Sequence, residues 1–178
     1  MCHKLAGNII TWCEQISELD EYGHVKAVYG MEVFLENIWK LAGLLLIGNL
    51  VENKVQFFVS VSCFSALRIF AGGKHSKLSI TCFLFMVLIG VIPVYILKHV
   101  FIPVAISISF FIIALALVLL YAPCNSYVIH KTTKRKVQAS VLVIVHLTAF
   151  LLISDLGIRN AILFGTLTEA MTLIKGVE

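Results

Sequence analysis

The chain has 178 residues, 60% of them hydrophobic and 13% charged, roughly half the ~25% charged fraction of a water-soluble domain. So much apolar surface excludes a soluble fold, and the length leaves room for one compact domain, so an all-α polytopic membrane bundle over 1–178 is expected. A net charge of +4 is modest, and five cysteines without CxxC spacing (Cys2, Cys13, Cys63, Cys82 and Cys124) exclude a disulfide framework; no nucleic-acid partner is expected.

The first 22 residues predict an amphipathic helix. Leu5, Ile9, Trp12, Ile16 and Leu19 recur at alternating four- and three-residue spacing, with Lys4, Glu14 and Glu18 opposite them. Such a helix lies on the membrane surface or against a partner subunit. Its acidic residues interrupt any hydrophobic core, so it is not expected to be a secretory leader. Apolar segments follow at 27–50, 55–70, 79–97, 100–121, 137–154 and 156–174, each close to the ~20 residues a helix needs to cross a bilayer. About six transmembrane helices over 27–174 are therefore predicted, the third and fourth parted only by Lys98 and His99.

Charge sets the orientation. Arg68, Lys74 and Lys77 follow the second segment, and Lys131, Lys134, Arg135 and Lys136 follow the fourth, whereas the other connections hold little beyond Lys54, Lys98 and Arg159. The positive-inside rule then makes both basic loops cytoplasmic, and with six spans both termini as well. No Walker or Rossmann glycine loop is present, which removes the commonest nucleotide-binding readings.

The stretch Arg68 to Cys82 reads Arg-Ile-Phe-Ala-Gly-Gly-Lys-His-Ser-Lys-Leu-Ser-Ile-Thr-Cys, a polar, glycine-broken loop between apolar spans. Such backbone survives at membrane depth only where protein or water satisfies it. On a continuous helix His75 and Cys82 would share a face but lie about 10.5 Å apart at ~1.5 Å per residue, too far for proton transfer at ~2.6 to 3.2 Å. Gly72 and Gly73 make a fold-back of His75 over the next helix start cheap. A cysteine in the first turn there, near Lys74 and Lys77, gains thiolate character. His75 would hold the proton, and Arg68 or the loop amides could face an oxyanion. The bland readings are a cysteine that fills space and a solvated histidine, and spacing alone leaves them open. A metal site from His75, Cys82 and His99 is disfavoured because His99 belongs to the opposite side of the bilayer, and no cofactor is expected.

Arg68, Ala71-Gly72-Gly73, His75 and Cys82, in that order and spacing, resemble the signature of accessory gene regulator B proteins, the membrane endopeptidases that mature quorum-sensing peptides in Gram-positive bacteria. Tyr29-Gly30-Met31-Glu32, Tyr121-Ala122-Pro123 and the basic stretch that follows extend the similarity. Lys74 departs from the bulky or aromatic residue more usual there, Ser76 from alanine, and His130-Lys131-Thr132 from a Lys-Pro. The resemblance implies a cell-membrane cysteine endopeptidase with Cys82 as nucleophile, His75 as base, and Arg68, Gly72 and Gly73 in support. Its implied substrate is an AgrD-like propeptide with an amphipathic leader, a ring-forming segment and an acidic tail. Cleavage on cysteine leaves an acyl thioester that an internal thiol or hydroxyl can take over, closing a thiolactone or lactone. Lys74, Lys77, Lys131, Lys134, Arg135 and Lys136 would cradle the acidic tail, or set topology and touch anionic lipid. A homodimer is also implied.

Among the remaining polar residues, Glu32 and Glu36 stand one turn apart, where they could orient His75 or pair with Lys40. His146 and Glu169 lie in hydrophobic stretches and mark a polar interior or a partner. Cys63 and Cys124 lack a neighbouring histidine and glycine break and read as packing residues. The alternative functions are a small peptide transporter, for which His146 and Glu169 would matter and Cys82 would not, and a non-catalytic scaffold.

Overall fold

The computed structural model describes residues 6–11, 21–72, 79–123 and 132–174, and its regular elements are helices. A helical turn at 6–11 is followed by α1 (Glu21–Leu50), α2 (Lys54–Ala71) and α3 (Ser79–Ile92), the last running on as a π-helical turn, Pro93–Leu97. Then come α4 (Val104–Tyr121), α5 (Thr132–Leu152) and α6 (Leu156–Thr172). The expected all-α membrane architecture is present: five stretches, Gly23–Leu50, Lys54–Ala71, Ser79–Leu97, Val104–Tyr121 and Thr133–Leu152, are long and apolar enough to cross a bilayer. The sixth predicted segment is α6, whose 17 residues make about 26 Å of helix at ~1.5 Å per residue, slightly under the ~30 Å hydrocarbon core.

The chain forms two compact units, Met1–Leu46 and Ile47–Glu178. In the first, the turn at 6–11 buries Ala6 and Ile10, leaves Ile9 half-buried and points Asn8 and Thr11 outward; Trp12, Ile16 and Leu19 of the predicted amphipathic face lie outside the described residues. Along α1, Glu36 and Lys40 form the expected one-turn ion pair at 3.4 Å. Val25, Tyr29, Phe34, Leu41, Leu45 and Leu46 are exposed, as suits a helix whose solvent is lipid.

In the second unit the helix ends follow from local chemistry. Asn53 caps α2 by accepting from the Gln56 N–H at 3.4 Å, and Asp155 caps α6 by accepting from the Ile158 N–H at 2.7 Å; each satisfies a helix-start donor that has no intrahelical partner. α4 begins at Val104 rather than near 100, because Pro103 stands at its N-cap and holds the preceding residue out of helical geometry. α5 begins at Thr132, ahead of its apolar stretch, since the run of basic residues there favours helix. The α1–α2 and α3–α4 links are joined by Lys98 and Glu52 at 2.7 Å, a hydrogen bond that holds the Glu52 carboxyl below its usual range.

The axis of this unit is the contact between α2 and α6. Gln56 fills the space beside Gly157, the Ser60 carbonyl occupies the position a Cβ on Gly165 would take, and Arg68 reaches Glu169. Successive positions on one helix thus meet successive positions on the other, so the two run parallel. Against α2, Phe57 packs on Gly90, Ser60 Oγ donates to Ile89 O at 2.9 Å, and Phe64 meets Phe85 edge to face; numbers rise on one side as they fall on the other, so α3 is antiparallel. α5 is antiparallel to α6 by the same test, with His146 at Thr166 and Phe150 under the Arg159 guanidinium. The core around these helices holds Leu67, Phe111, Val118, Val143, Phe150 and Leu163. Asn160 Nδ2 donates to Leu97 O at 2.7 Å and Val100 O at 2.8 Å, satisfying carbonyls freed where α3 unwinds.

Close approach through a small residue is how helices associate when lipid gives them no hydrophobic drive. Gly165→Leu should therefore force α2 and α6 apart and cost ~1 to 3 kcal/mol, as overpacking does. A lowered unfolding midpoint in detergent or lipid nanodiscs checks this. Gly30→Ala, with open space around it, should leave the midpoint unchanged or slightly raised.

Candidate active site

The two segments that flank the His75 loop, the last turn of α2 and the first turn of α3, lie side by side because the helices are antiparallel. α2 ends at Gly72, whose φ of 80° lies where a Cβ is disfavoured and whose N–H donates to Arg68 O at 3.0 Å. α3 starts at Ser79, which makes Cys82 its fourth residue. The opening turn of a helix carries the positive end of its dipole. Cys82 is a half-buried free thiol. One turn deeper on each helix, the Phe64 and Phe85 rings meet at 5.8 Å between centroids and tie the two ends together.

Arg68 lies in the last turn of α2, its guanidinium 5.5 Å from the Phe64 ring and Nη1 3.1 Å from Glu169 Oε2. Glu169 is fully buried, and the Arg68 side chain is 15% exposed. Sequence reasoning left Glu169 without a task; a lone carboxylate in an apolar stretch, at the end of a helix parallel to the one that carries Arg68, was the available sign. Of the other predicted site residues, Lys134 and Arg135 are exposed and Lys136 half-buried at the start of α5. Because α5 opposes α6, they lie at the same end of the unit as Arg68, Gly72 and Cys82. Gly73, Lys74, His75, Lys77 and Lys131 lie outside the described residues.

A second cysteine and histidine share a different environment. Cys63 and His146, with Phe58, Val59, Ser62, Ala149 and Ile162, line an apolar cleft of about 320 Å³. Thr166 Oγ1 donates to Ile162 O at 2.8 Å, so its one proton is committed and His146 Nδ1, 2.9 Å away, is assigned as the donor to it. That bond gives His146 the expected polar-interior role, and no helix break adjoins Cys63.

The family model of accessory gene regulator B matches residues 2–173, from before the turn at 6–11 to beyond α6. The chain belongs to the accessory gene regulator B family. It is 26% identical to the accessory gene regulator protein B of Staphylococcus aureus strain JH9 over 175 residues, covering 92% of this chain and 89% of that one. It is 29% identical over 125 residues to its namesake in Staphylococcus carnosus strain TM300, covering 67% and 64%. An AgrB-like protein of Listeria monocytogenes serotype 4a is 26% identical over 164 residues. No solved structure matches. Accessory gene regulator B membership agrees with the resemblance carried by Arg68, Ala71-Gly72-Gly73, His75 and Cys82.

The backbone at Gly72 generates a prediction independent of chemistry. Gly72→Ala must hold a side chain at positive φ and should destabilise the chain by about 1 kcal/mol or more, read as a lowered unfolding midpoint in nanodiscs.

Proposed function

We propose that this chain is a membrane-embedded cysteine endopeptidase that removes the C-terminal tail of a small signalling propeptide and closes the remainder into a thiolactone or lactone. Family membership over nearly the whole chain carries the reading, and the position of Cys82 in the first turn of α3, next to the glycine end of α2, supports it. In this mechanism the Cys82 thiolate attacks the scissile carbonyl. His75 accepts the thiol proton and returns it to the departing amine, and the tetrahedral oxyanion is met by loop amides or Arg68. An acyl thioester on Cys82 results. An internal cysteine or serine of the peptide then gives its proton to His75 and attacks that thioester, expelling the Cys82 thiolate as the ring closes. Little bond energy is lost in a thioester exchange, provided water is excluded. Gly72 and Gly73 supply the bend that lets His75 approach.

The reading places the site at the cytoplasmic face of a Gram-positive cell membrane, with both termini inside. Lys134, Arg135 and Lys136 stand at the same end as Cys82 and, with Lys74, Lys77 and Lys131, present cations to an acidic tail and to anionic lipid. Two copies act as a homodimer.

Co-expression with an AgrD-like propeptide tests the chemistry. Cys82→Ala and His75→Ala should each lower tail removal by at least ~10³-fold while the protein remains inserted, as expected for residues that act as a unit. Unchanged cleavage in Cys82→Ala would sink the proposal. Neutralising Lys134, Arg135 and Lys136 to Gln should weaken cleavage of an acidic-tailed propeptide several-fold, mainly through KM, and more at low salt. An impermeant maleimide that reaches Cys82 in inside-out vesicles but not in intact cells verifies that orientation is preserved.

A further inference from the structure

The ion pair between Arg68 and Glu169 is an expensive feature to place inside an apolar bundle. Glu169 is 0% exposed, its contact with Arg68 is a single hydrogen bond through Oε2, and its Oε1 has no hydrogen-bond partner among the described residues. Buried ion pairs usually gain little over well-packed apolar residues, because desolvation offsets the Coulombic attraction. Stability alone therefore explains this one poorly.

Its location suggests another role. Arg68 is the residue whose carbonyl accepts the Gly72 N–H, so it forms the final turn from which the segment bearing His75 departs. The other end of that segment is Ser79, at the start of the helix that carries Cys82. Both ends are clamped. Glu169 holds the Arg68 side chain from α6, the guanidinium lies over Phe64 at 5.5 Å, and Phe64 meets Phe85, three residues beyond Cys82. At the base of this chain of contacts, Glu169 is itself fixed: its carbonyl accepts from Thr172 Oγ1 at 2.8 Å, and the next residue but three, Leu173, is fully buried.

We propose that Glu169 is a positioning residue for the peptidase: through Arg68 it holds the last turn of α2 in register with the first turn of α3, and so sets the separation that the His75 segment must span to serve Cys82. The inference rests on the endopeptidase reading. Glu169 itself touches no reacting atom; it acts at one remove, through Arg68 and a helix end, and a mutation there alters the environment of Cys82 through them.

The test follows alkylation of Cys82 by iodoacetamide on the full chain in lipid nanodiscs, with Cys82 read by peptide mass spectrometry and rates scored on the folded, monodisperse fraction. Over about pH 5 to 9 the rate tracks the thiolate population. His75→Ala should slow Cys82 at neutral pH by about tenfold and change the pH dependence of its rate. Glu169→Gln should reproduce most of that loss, Glu169→Asp less of it, and the exchange Arg68→Glu with Glu169→Arg should recover at least half. A pair that is only structural would lower the unfolding midpoint and leave the pH profile of the folded fraction where it was, which would overturn the inference. If Glu169→Gln yields no folded protein, the exchange variant decides: a slow rate in a folded exchange variant overturns the inference. If His75→Ala has no effect on Cys82, the Cys–His reading itself fails and takes the inference with it, whereas a His75 effect without a Glu169 effect removes the inference alone.

Discussion

The close seam between α2 and α6 is the contact on which the second unit depends. In hydrocarbon, association of helices relies on van der Waals contact and on polar groups that find each other, and this seam supplies both. Gly165 lets the Ser60 backbone come near, Gly157 makes room for Gln56, and Arg68 finds Glu169. α6 has little apolar excess of its own, and nine of its residues are buried, Asn160, Thr166 and Glu169 among them. Asn160 bonds the Leu97 and Val100 carbonyls, Thr166 the Ile162 carbonyl and Glu169 Oε2 the Arg68 guanidinium, and a bare polar group would cost several kcal/mol (~2 to 7) in an apolar medium. The remaining helices use α6 as a polar spine: α5 through His146 and Thr166, the α3–α4 link through Asn160.

That arrangement also gathers the predicted site residues at one end. Parallel α2 and α6 and antiparallel α3 and α5 bring together the glycine end of α2, the Cys82 turn, Glu169, and the basic start of α5. The opposite end is occupied by the paired Lys98 and Glu52 and by the Asn160 clamp. Cys82 early in α3, the positive-φ Gly72 and the cations Lys134, Arg135 and Lys136 thus occur on the same side of the unit, which is the arrangement the proposed acyl transfer would use.

Much of this was legible in the residues. Periodicity and hydropathy located all six apolar helices, since a bilayer enforces long uninterrupted segments. The glycine break at Gly72, the placement of Cys82 early in the next helix and the Glu36–Lys40 pair were also readable, because each depends on neighbours in the chain. The start of α4 was misjudged by a few residues because Pro103 outweighs the apolar residues before it, and that of α5 because helix propensity carries the basic run. The Arg68–Glu169 pair was not readable, for it joins positions 101 residues apart, and although six alternating spans make the second and sixth parallel, hydropathy does not report which helices pack together. Chain order set Cys63 apart from Cys82, for it lacks a neighbouring glycine break, but that His146 lines the same cleft as Cys63 and is bonded to Thr166 only the packing reveals.

The Asn160 carboxamide has a mechanical corollary. By taking Leu97 O and Val100 O together it fixes the far tip of α3 to α6, while nearer Cys82 the Phe85 ring meets Phe64. On the proposed reading, any displacement of the Cys82 sulfur would be a swing about that fixed point, on a lever of about 22 Å for fifteen residues at ~1.5 Å each. A tilt of a few degrees at Asn160 would carry Cys82 through an ångström or more, enough to open or close a bonding distance.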